Sequence, residues 1–381
     1  MSWEKVKLGN VSESCLGKML DQRKNKGTYK PYLANVNVRW GSFDLNNLQE
    51  MKFEEDEDER YGIKYGDLII CEGGEPGRCA IWKEELPNMK IQKALHRVRV
   101  NEEMDYRYVY YWFLLAGKQG ALKQYYTGAT IMHIPGQKLK EVVIDKPPLG
   151  VQRRIGYYLE SFDNLIENNQ KQIKLLEEAA QRLYKRWFID LRFPGYENVK
   201  IVDGVPEKWE KVSLAEIAPI VTGKKDANFG LNSGKYLFFT CAQEPIKAPS
   251  YSFDCDAVIL AGNGDFNVKL YRGRFEAYQR TYVFSPYNSN NLYLLYYAVK
   301  DNMCQLFQGA SGSTIKFLTR RMLEDILVFV PDEKVLIQFN RNCELFQKKI
   351  EALKAQIILA QEVRDRLLPK LMSGEIEVCF E

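Results

Sequence analysis

The sequence predicts an α+β fold: two α/β domains separated by a pair of long antiparallel coiled-coil helices, with a pseudo-twofold internal repeat. Three observations predict it: a segment that opens each half, a segment that closes each half, and a helical apolar pattern after each closing segment. A chain of 381 residues has room for two or three domains with buried cores.

The two halves open on the same segment. Residues 3–8 read WEKVKL and residues 209–214 read WEKVSL, so five of six residues recur at an offset of 206. Self-similarity at a fixed offset is typical of a duplicated structural unit. The repeat therefore fixes where the second unit begins.

The halves also close alike, but at an offset of 184. Residues 128–131 read GATI and residues 312–315 read GSTI, and Pro147 corresponds to Pro331. The distance from Trp to Pro is 144 positions in the first unit and 122 in the second, so the second unit is 22 residues shorter. Part of the excess is the acidic run 54–59, which is predicted to lie on a solvated loop because it cannot approach phosphates.

After each proline, apolar residues recur at alternating steps of four and three, the pattern of a helix that buries a coiled-coil seam. The pattern predicts helices over 155–187 and 339–371, each roughly 50 Å long, which need a partner along their length. Asn169 and Arg364 interrupt the seams, either to fix the register or through local solvation. The predicted seam residues are Ile155, Leu159, Phe162, Ile166, Ile173, Leu176 and Leu183, then Phe339, Phe346, Ile350, Leu353, Ile357, Leu367 and Leu371.

Composition argues against several classes of protein. With two histidines, a histidine base or a multi-histidine metal site is not expected, and the eight cysteines are dispersed, as reduced thiols are. The longest uncharged apolar run, 108–117, is about half of what a membrane crossing needs, and the N-terminus lacks a signal pattern. We expect a cytoplasmic protein without a metal site.

Each unit contains a predicted hairpin with a glycine-rich loop. In the first, strands 66–70 and 79–82 flank loop 72–78; in the second, strands 256–260 and 268–271 flank loop 262–267. Neither loop carries the motif of a nucleotide phosphate site, so none is expected.

Basic residues accompany these hairpins. Strands 92–99 and 278–284 alternate basic and apolar residues, which is typical either of a face that offers cations to phosphates and guanines or of a solvated sheet face. Residues 1–149 hold 23 basic and 21 acidic groups, and 23 against 15 without the acidic run, whereas 206–331 hold 14 against 12. Most other candidates lie in predicted loops, where recognition residues are common. The candidate DNA-binding residues are Arg39, Arg78, Lys93, Arg97, Arg99, Lys224, Lys225, Lys269, Arg272, Arg280, Arg320 and Arg321, with Asn263, Asn267 and Gln279 as secondary candidates.

This layout resembles the specificity subunit of a type I restriction-modification system. The resemblance covers essentially the whole chain, and its family-like segments are 206–209 (PEKW), 278–283 (YQRTYV) and 367–376 (LLPKLMSGEI). It implies the following segments: target recognition domain 1 over 1–149, a central long helix over 150–190, a linker over 191–205, target recognition domain 2 over 206–331, and a distal helix and tail over 332–381.

The resemblance also implies the function. Each domain would read one half of a bipartite, asymmetric site on double-stranded DNA, with the helices as the spacer between them. Two methyltransferase subunits would bind this non-catalytic chain, and restriction subunits would join that complex. S-adenosylmethionine, ATP and Mg are then expected only in the partner subunits, with no cofactor in this chain.

Two alternatives remain open. One is an orphan or differently assembled relative of the same subunit, which neighbouring genes would distinguish. The other is an adaptor whose duplicated domains bind proteins or sugars and whose coiled coil only spaces them, and a DNA-binding assay would separate it from the first.

Overall fold

A computed structural model describes residues 3–21, 25–264, 266–312 and 316–378. Residues 313–315 of the closing repeat, Asp265 of the second glycine-rich loop and Cys379 lie outside the described residues. Contacts divide the chain into unit 1, Met1–Asn169 with Ala355–Glu381, and unit 2, Gln170–Lys354. Both units mix helices with sheets, as the sequence predicts, and each includes a part of both long helices.

Unit 1 is built on two antiparallel-rich sheets. A four-stranded sheet has the order β2-β10-β7-β8 and a three-stranded sheet the order β6-β3-β9, while β1 pairs with β11 and β4 with β5. The strands are β1 Glu4–Lys7, β2 Ser12–Leu16, β3 Thr28–Leu33, β4 Val38–Arg39, β5 Ser42–Phe43, β6 Gln49–Phe53, β7 Leu68–Cys71, β8 Cys79–Ile81, β9 Lys90–Ile91, β10 Leu95–Val100 and β11 Val143–Lys146. The helices are α1 Glu57–Tyr61, α2 Tyr106–Gln119, α3 Gly136–Glu141 and the start of α4 Leu149–Tyr184.

Unit 2 is built on one six-stranded sheet of order β15-β20-β18-β19-β16-β17, with two further strand pairs, β12–β13 and β14–β21. The strands are β12 Ile201–Val202, β13 Val205–Pro206, β14 Glu210–Ser213, β15 Ile220–Thr222, β16 Tyr236–Phe239, β17 Ile246–Ala248, β18 Phe253–Ala261, β19 Val268–Ala277, β20 Thr281–Phe284 and β21 Leu327–Val330. The helices are α5 Leu214–Ile217, α6 Leu292–Asp301, α7 Met303–Gly309, α8 Arg320–Glu324 and the start of α9 Glu333–Ser373.

One strand pair in each unit explains why the repeat has two offsets. The opening strand β1 pairs antiparallel with β11, with Glu4 opposite Lys146, and β14 pairs in the same way with β21, with Glu210 opposite Val330. The two opening strands, β1 and β14, are related by the offset of 206. Their partner strands, β11 and β21, are related by the offset of 184. The 22 residues of difference lie between them, in the variable part of each unit.

The predicted long helices exist and exceed their predicted bounds. α4 begins at Leu149 and continues past Tyr184 as a π-helical turn, Lys185–Ile189, and α9 runs from Glu333 to Ser373. Every predicted seam residue is buried or half-buried. Near the helix ends the seam packs on a domain core: Ile155 and Leu371 belong to the core of unit 1, and Phe339 to that of unit 2.

The two polar interruptions of the seams are both hydrogen-bonded within unit 1. Asn169 is 2% exposed, and its Nδ2 donates to Gln356 Oε1 at 3.1 Å. Arg364 Nη1 donates to Asp163 Oδ1 at 2.5 Å, and the Tyr111 hydroxyl donates to Asp163 Oδ2 at 2.6 Å. These bonds join α4 to α9, which favours a role in register over local solvation.

Replacing Asn169 by Leu is expected to raise stability at the expense of register specificity. Leu353, related to Asn169 by the offset of 184, is also 2% exposed, so leucine suits this environment. Removing a buried amide should raise the free energy of unfolding by about 1 kcal/mol, or the thermal midpoint by about 2–4 °C. The neighbouring exposed Asn168→Leu is the matched control and should change little. A lower midpoint for Asn169→Leu would show that the amide bond is a net stabilising contact.

The acidic run lies only in part on a solvated loop: Glu54, Glu55 and Asp56 are exposed and precede the first helix, whereas the second half of the run lies in that helix. Glu57–Tyr61 forms α1, and Lys18, 3% exposed, donates to Glu57 Oε2 at 2.5 Å. Lys30 and Lys90 both pair with Asp58, at 2.6 and 3.1 Å, and the hydrogen bond from Lys30 lowers the pKa of that carboxyl. Because the run neutralises three lysines of its own unit, subtracting it overstates the free positive charge of unit 1.

Candidate nucleic-acid interface

In unit 1 the glycine-rich loop and the closing repeat meet in space. Loop 72–78 joins β7 to β8, which pair antiparallel as predicted. The turn 127–133 is closed by backbone hydrogen bonds between Thr127 and His133 at 2.8 and 3.0 Å, and Ile134 N donates to Glu72 O at 2.8 Å. We call loop 72–78 with turn 127–133 loop cluster 1.

Unit 2 repeats this arrangement. Its glycine-rich loop joins β18 to β19, Ser311 and Phe317 exchange backbone hydrogen bonds at 3.1 and 2.8 Å, and Leu318 N donates to Gly262 O at 2.8 Å. We call the described residues of 262–267 and 311–317 loop cluster 2. The sequence showed each segment to be repeated but not that the two segments touch.

The segment before the next strand joins each cluster with equivalent backbone contacts. Glu72 N donates to Ala94 O in unit 1, and Gly262 N donates to Arg280 O in unit 2, each at 2.8 Å. The preceding residues, Lys93 and Gln279, are both exposed. The backbone is therefore shared while the side chains beside the clusters differ.

A fourth segment was missed by the sequence reasoning. Lys93 N donates to Lys18 O at 2.8 Å and Gln279 N to Lys225 O at 2.9 Å. A glycine lies just before each lysine segment, Gly17 before Lys18 and Gly223 before Lys224-Lys225. Both are required by close approach, since a Cβ would lie 2.4 Å from Gln92 O and 2.0 Å from Ala277 O. The signal was available: Gly17-Lys18 and Gly223-Lys224 recur at the opening offset of 206.

Of the candidate DNA-binding residues near loop cluster 1, Arg78 uses its guanidinium in hydrogen bonds within unit 1. Its Nη2 donates to Asn35 Oδ1 at 2.9 Å and its Nη1 to Glu75 Oε2 at 3.2 Å, while Asn35 Nδ2 donates to Gly73 O at 2.8 Å. Arg39, the last residue of β4, remains exposed although its Nη1 donates to Val36 O. Arg39 and Lys93 are the accessible cations of this region.

The predicted basic face of strand 92–99 is wrong, because that face is covered. The strand begins at Leu95, and Arg97 is 1% exposed, with Nη1 donating to Glu59 O and Gly62 O at 2.9 Å each. Arg99 makes a two-pronged pair with the buried Asp67, with both N–O distances 2.7 Å, and this bond raises the pKa of Arg99. Neither guanidinium is available to a phosphate or a guanine.

Near loop cluster 2 the accessible cations are Arg280 and Lys224, both exposed. In the part of the chain that the structure describes, the Arg280 guanidinium has no hydrogen-bond or ion-pair partner. Lys225 is half-buried, with its amine 4.5 Å from the centre of the Phe229 ring. The predicted strand 278–284 included Arg280, but strand β20 begins at Thr281, so Arg280 lies in the loop before it.

Lys269 and Arg272 both lie in strand β19. Lys269 falls within the predicted strand 268–271, whereas Arg272 was expected in a loop and its location is corrected. Lys269 Nζ donates to Ala242 O at 2.9 Å and also contacts Asn267, and burial lowers its pKa. Arg272 Nη2 donates to Glu344 Oε2 at 3.2 Å, and the same oxygen accepts from the Tyr293 hydroxyl at 2.6 Å. Arg272 thus holds the sheet to α9.

The remaining candidates, Arg320 and Arg321, open the short helix α8 and are exposed. Arg320 Nε donates to Glu324 Oε1 at 2.7 Å. Among the described residues, no group of histidine, cysteine and acidic side chains is arranged to hold a metal ion. Within the same residues, every helix is too short or too polar to cross a bilayer.

Comparison with known proteins decides the family. Residues 1–178 and 206–355 match the family described as "Type I restriction modification DNA specificity domain". The chain belongs to this type I DNA specificity family. The two matched ranges correspond to the two copies of the repeat.

Two curated relatives of this specificity chain illustrate the similarity. It is 35% identical over 176 residues to the type I restriction enzyme EcoDI specificity subunit of Escherichia coli, a match that covers 45% of the chain and 39% of that subunit. It is 26% identical over 349 residues to the MjaIX specificity subunit of Methanocaldococcus jannaschii, covering 82% of the chain and 78% of that subunit.

A solved structure shares the fold of this specificity chain. The S subunit of a type I restriction-modification system from M. genitalium superposes with a TM-score of 0.60 over 97% of this chain and 96% of that one. At 17% identity this similarity concerns the fold alone.

Proposed function

We propose that the chain reads a bipartite, asymmetric site on double-stranded DNA, with loop cluster 1 at one half-site and loop cluster 2 at the other. The observation that supports this most is that the two clusters have the same backbone contacts, while the side chains next to those contacts differ. Unit 1 places Lys93 and Ala94 where unit 2 places Gln279 and Arg280. Gln pairs well with adenine and Arg with guanine, so the two clusters would prefer different bases.

We propose that α4 and α9 pair as an antiparallel coiled coil that sets the distance between the half-sites. The hydrogen bonds of Asn169 and Arg364 support the antiparallel pairing in unit 1, since going forward along α4 from Asp163 to Asn169 goes backward along α9 from Arg364 to Gln356. In this proposal residues 1–149 and 206–331 are the reading domains. A rigid spacer allows contact only with half-sites at a fixed separation.

The proposed partners are two methyltransferase subunits, through which restriction subunits would join. Apolar side chains that project from the long helices support a protein-binding role: Tyr157, Leu175 and Ile358 are 63%, 64% and 58% exposed. We assign the chemistry, with S-adenosylmethionine, ATP and Mg, to these partners and a non-catalytic role to the chain.

Replacing Arg280 by Ala is expected to weaken or relax recognition of one half-site only. Removing an unpaired guanidinium beside loop cluster 2 should reduce binding by about 1–3 kcal/mol if it reads a guanine. Methylation of DNA libraries randomised at each half-site, by the chain with its methylating partner, measures the change.

Arg274→Ala is the matched control, because Arg274 is exposed on the same sheet but pairs with Asp254 at 2.9 Å, far along β19 from loop cluster 2. It removes the same charge, so an equal loss from both variants would indicate only bulk electrostatics. Lost preference at both half-sites would contradict the assignment of one half-site to each unit.

A further inference from the structure

Loop cluster 1 presents an apolar tip to solvent. Ile131 is 75% exposed, more than any other large hydrophobic side chain in the described ranges, and Met132 beside it is 49% exposed. An isolated exposed aliphatic side chain needs no explanation, but two adjacent ones at the end of a turn beside a proposed binding surface do.

The turn 127–133, which carries the tip, is held by hydrogen bonds and requires a glycine. Thr127 and His133 exchange two backbone hydrogen bonds, and the Thr127 hydroxyl lies 3.0 Å from His133 Nε2. Gly128 has φ +97°, and a Cβ there would lie 2.3 Å from Ile131 O, so the turn requires glycine. The hydrogen bonds therefore hold Ile131 away from the domain core.

The base of the turn is anchored in the core of unit 1. Ile134 is fully buried, its N donates to Glu72 O at 2.8 Å, and its carbonyl accepts from His96 Nε2 at 3.0 Å. His96 is itself 1% exposed. Burial and hydrogen bonds therefore fix the base of the tip to unit 1.

The surroundings of the tip suit a polyanion. Lys93, beside loop cluster 1, and Arg39, at the end of β4, are both exposed, although Arg39 Nη2 lies 3.8 Å from Asp44 Oδ2, and Glu75 is neutralised by Arg78 at 3.2 Å. Cations that contact phosphates around an apolar side chain are the arrangement by which proteins insert isoleucine or methionine between base steps and kink a duplex.

We propose that the tip formed by Ile131 and Met132 is a wedge that inserts against a base step of the half-site read by unit 1 and bends the DNA there. This inference rests on the proposed function. The residue related to Met132 by the offset of 184 is Lys316, whose amine lies 4.0 Å from the centre of the Phe307 ring. A cation takes the methionine's place in unit 2, while the counterpart of Ile131 is Ile315, outside the described residues, so the Met132 part of the wedge is specific to unit 1.

The test uses the full chain with its methylating partner and a duplex that carries its own target. Fluorophores at the duplex ends report bending, and 2-aminopurine placed in turn at each adenine of the half-site reports unstacking. The parent should bend the duplex and raise 2-aminopurine emission at one step other than the methylated adenine, because a methyltransferase itself flips its target base out of the stack. Ile131→Ala should abolish that emission, reduce bending and weaken site binding about tenfold, with an unchanged salt slope because no charge is lost.

Three further variants make the result specific. Ile131→Leu should retain the signals and Met132→Ala should reduce them. Leu86→Ala, an exposed aliphatic change that follows β8 on the side away from loop 72–78, should behave as the parent. The wedge is overturned if Ile131→Ala bends and unstacks the site like the parent, or if the parent binds its site without distortion. If the parent shows no site preference at all, the proposed function itself fails.

Discussion

Replacing Arg97 by Ala is expected to destabilise unit 1 by about 3 kcal/mol, or about 6–12 °C in its thermal midpoint. The side chain is 1% exposed and supplies the hydrogen bonds to Glu59 O and Gly62 O, besides a 3.0 Å contact to Glu13. Truncation leaves two carbonyls without their donor and a cavity between the strand and the segment that follows α1. Thermal or urea unfolding of the purified chain measures the loss.

Arg97→Met separates the two causes, because it keeps most of the volume and removes the hydrogen bonds, so it should cost less than Ala. Arg280→Ala is the control on an exposed arginine and should change the midpoint by less than about 0.5 kcal/mol. If Arg97→Ala unfolds like the parent and loses only a base preference, Arg97 contacts DNA and the assignment of its face to the interior is wrong.

Inserting one heptad into both long helices is expected to lengthen the unspecified spacer of the DNA target by about three base pairs. Seven residues add about 10 Å of helix, and each base pair adds about 3.4 Å. Duplicating residues 166–172 in α4 and 350–356 in α9 preserves the seam pattern, because these ranges are related by the offset of 184. Sequencing the methylated sites of cells that express the variant with its partner measures the spacer.

Both half-sites should keep their bases, since no residue of either loop cluster changes. Methylation should be weaker, because the added base pairs rotate one half-site about the DNA axis relative to the other. Inserting the heptad into α4 alone is the control and should disrupt the pairing of the helices. An unchanged spacer or altered half-site bases would refute the role of the helices as a ruler.

Much of the fold can be predicted from patterns that lie within single stretches of the sequence. The opening and closing repeats correspond to β1 and β11 and to their counterparts β14 and β21. The four-three periodicity located α4 and α9, and the glycine-rich loops join antiparallel strands as expected. Local periodicity and turn chemistry determine these features, so they are visible without tertiary contacts.

The wrong predictions concern the burial of side chains. Burial depends on segments that are distant in the sequence. Alternation placed Arg97 and Arg99 on one face, but the segment 59–62 and Asp67 cover that face. Likewise, Glu57 and Asp58 of the acidic run were predicted to be solvated, but they pair with lysines from distant segments: Lys18, Lys30 and Lys90. Among the described residues, four candidates have exposed side chains without a hydrogen-bond or ion-pair partner, as their predicted role requires: Lys93, Lys224, Arg280 and Arg321. That role stays a prediction.

The most direct measurement is single-molecule sequencing of the methylated bases in a cell that expresses this chain with its cognate methylating subunit. Two different half-sites separated by a fixed run of unspecified bases are predicted, with the preference of one half-site lost in Arg280→Ala. A single continuous site, two identical half-sites, or no methylation that depends on this chain would contradict the account.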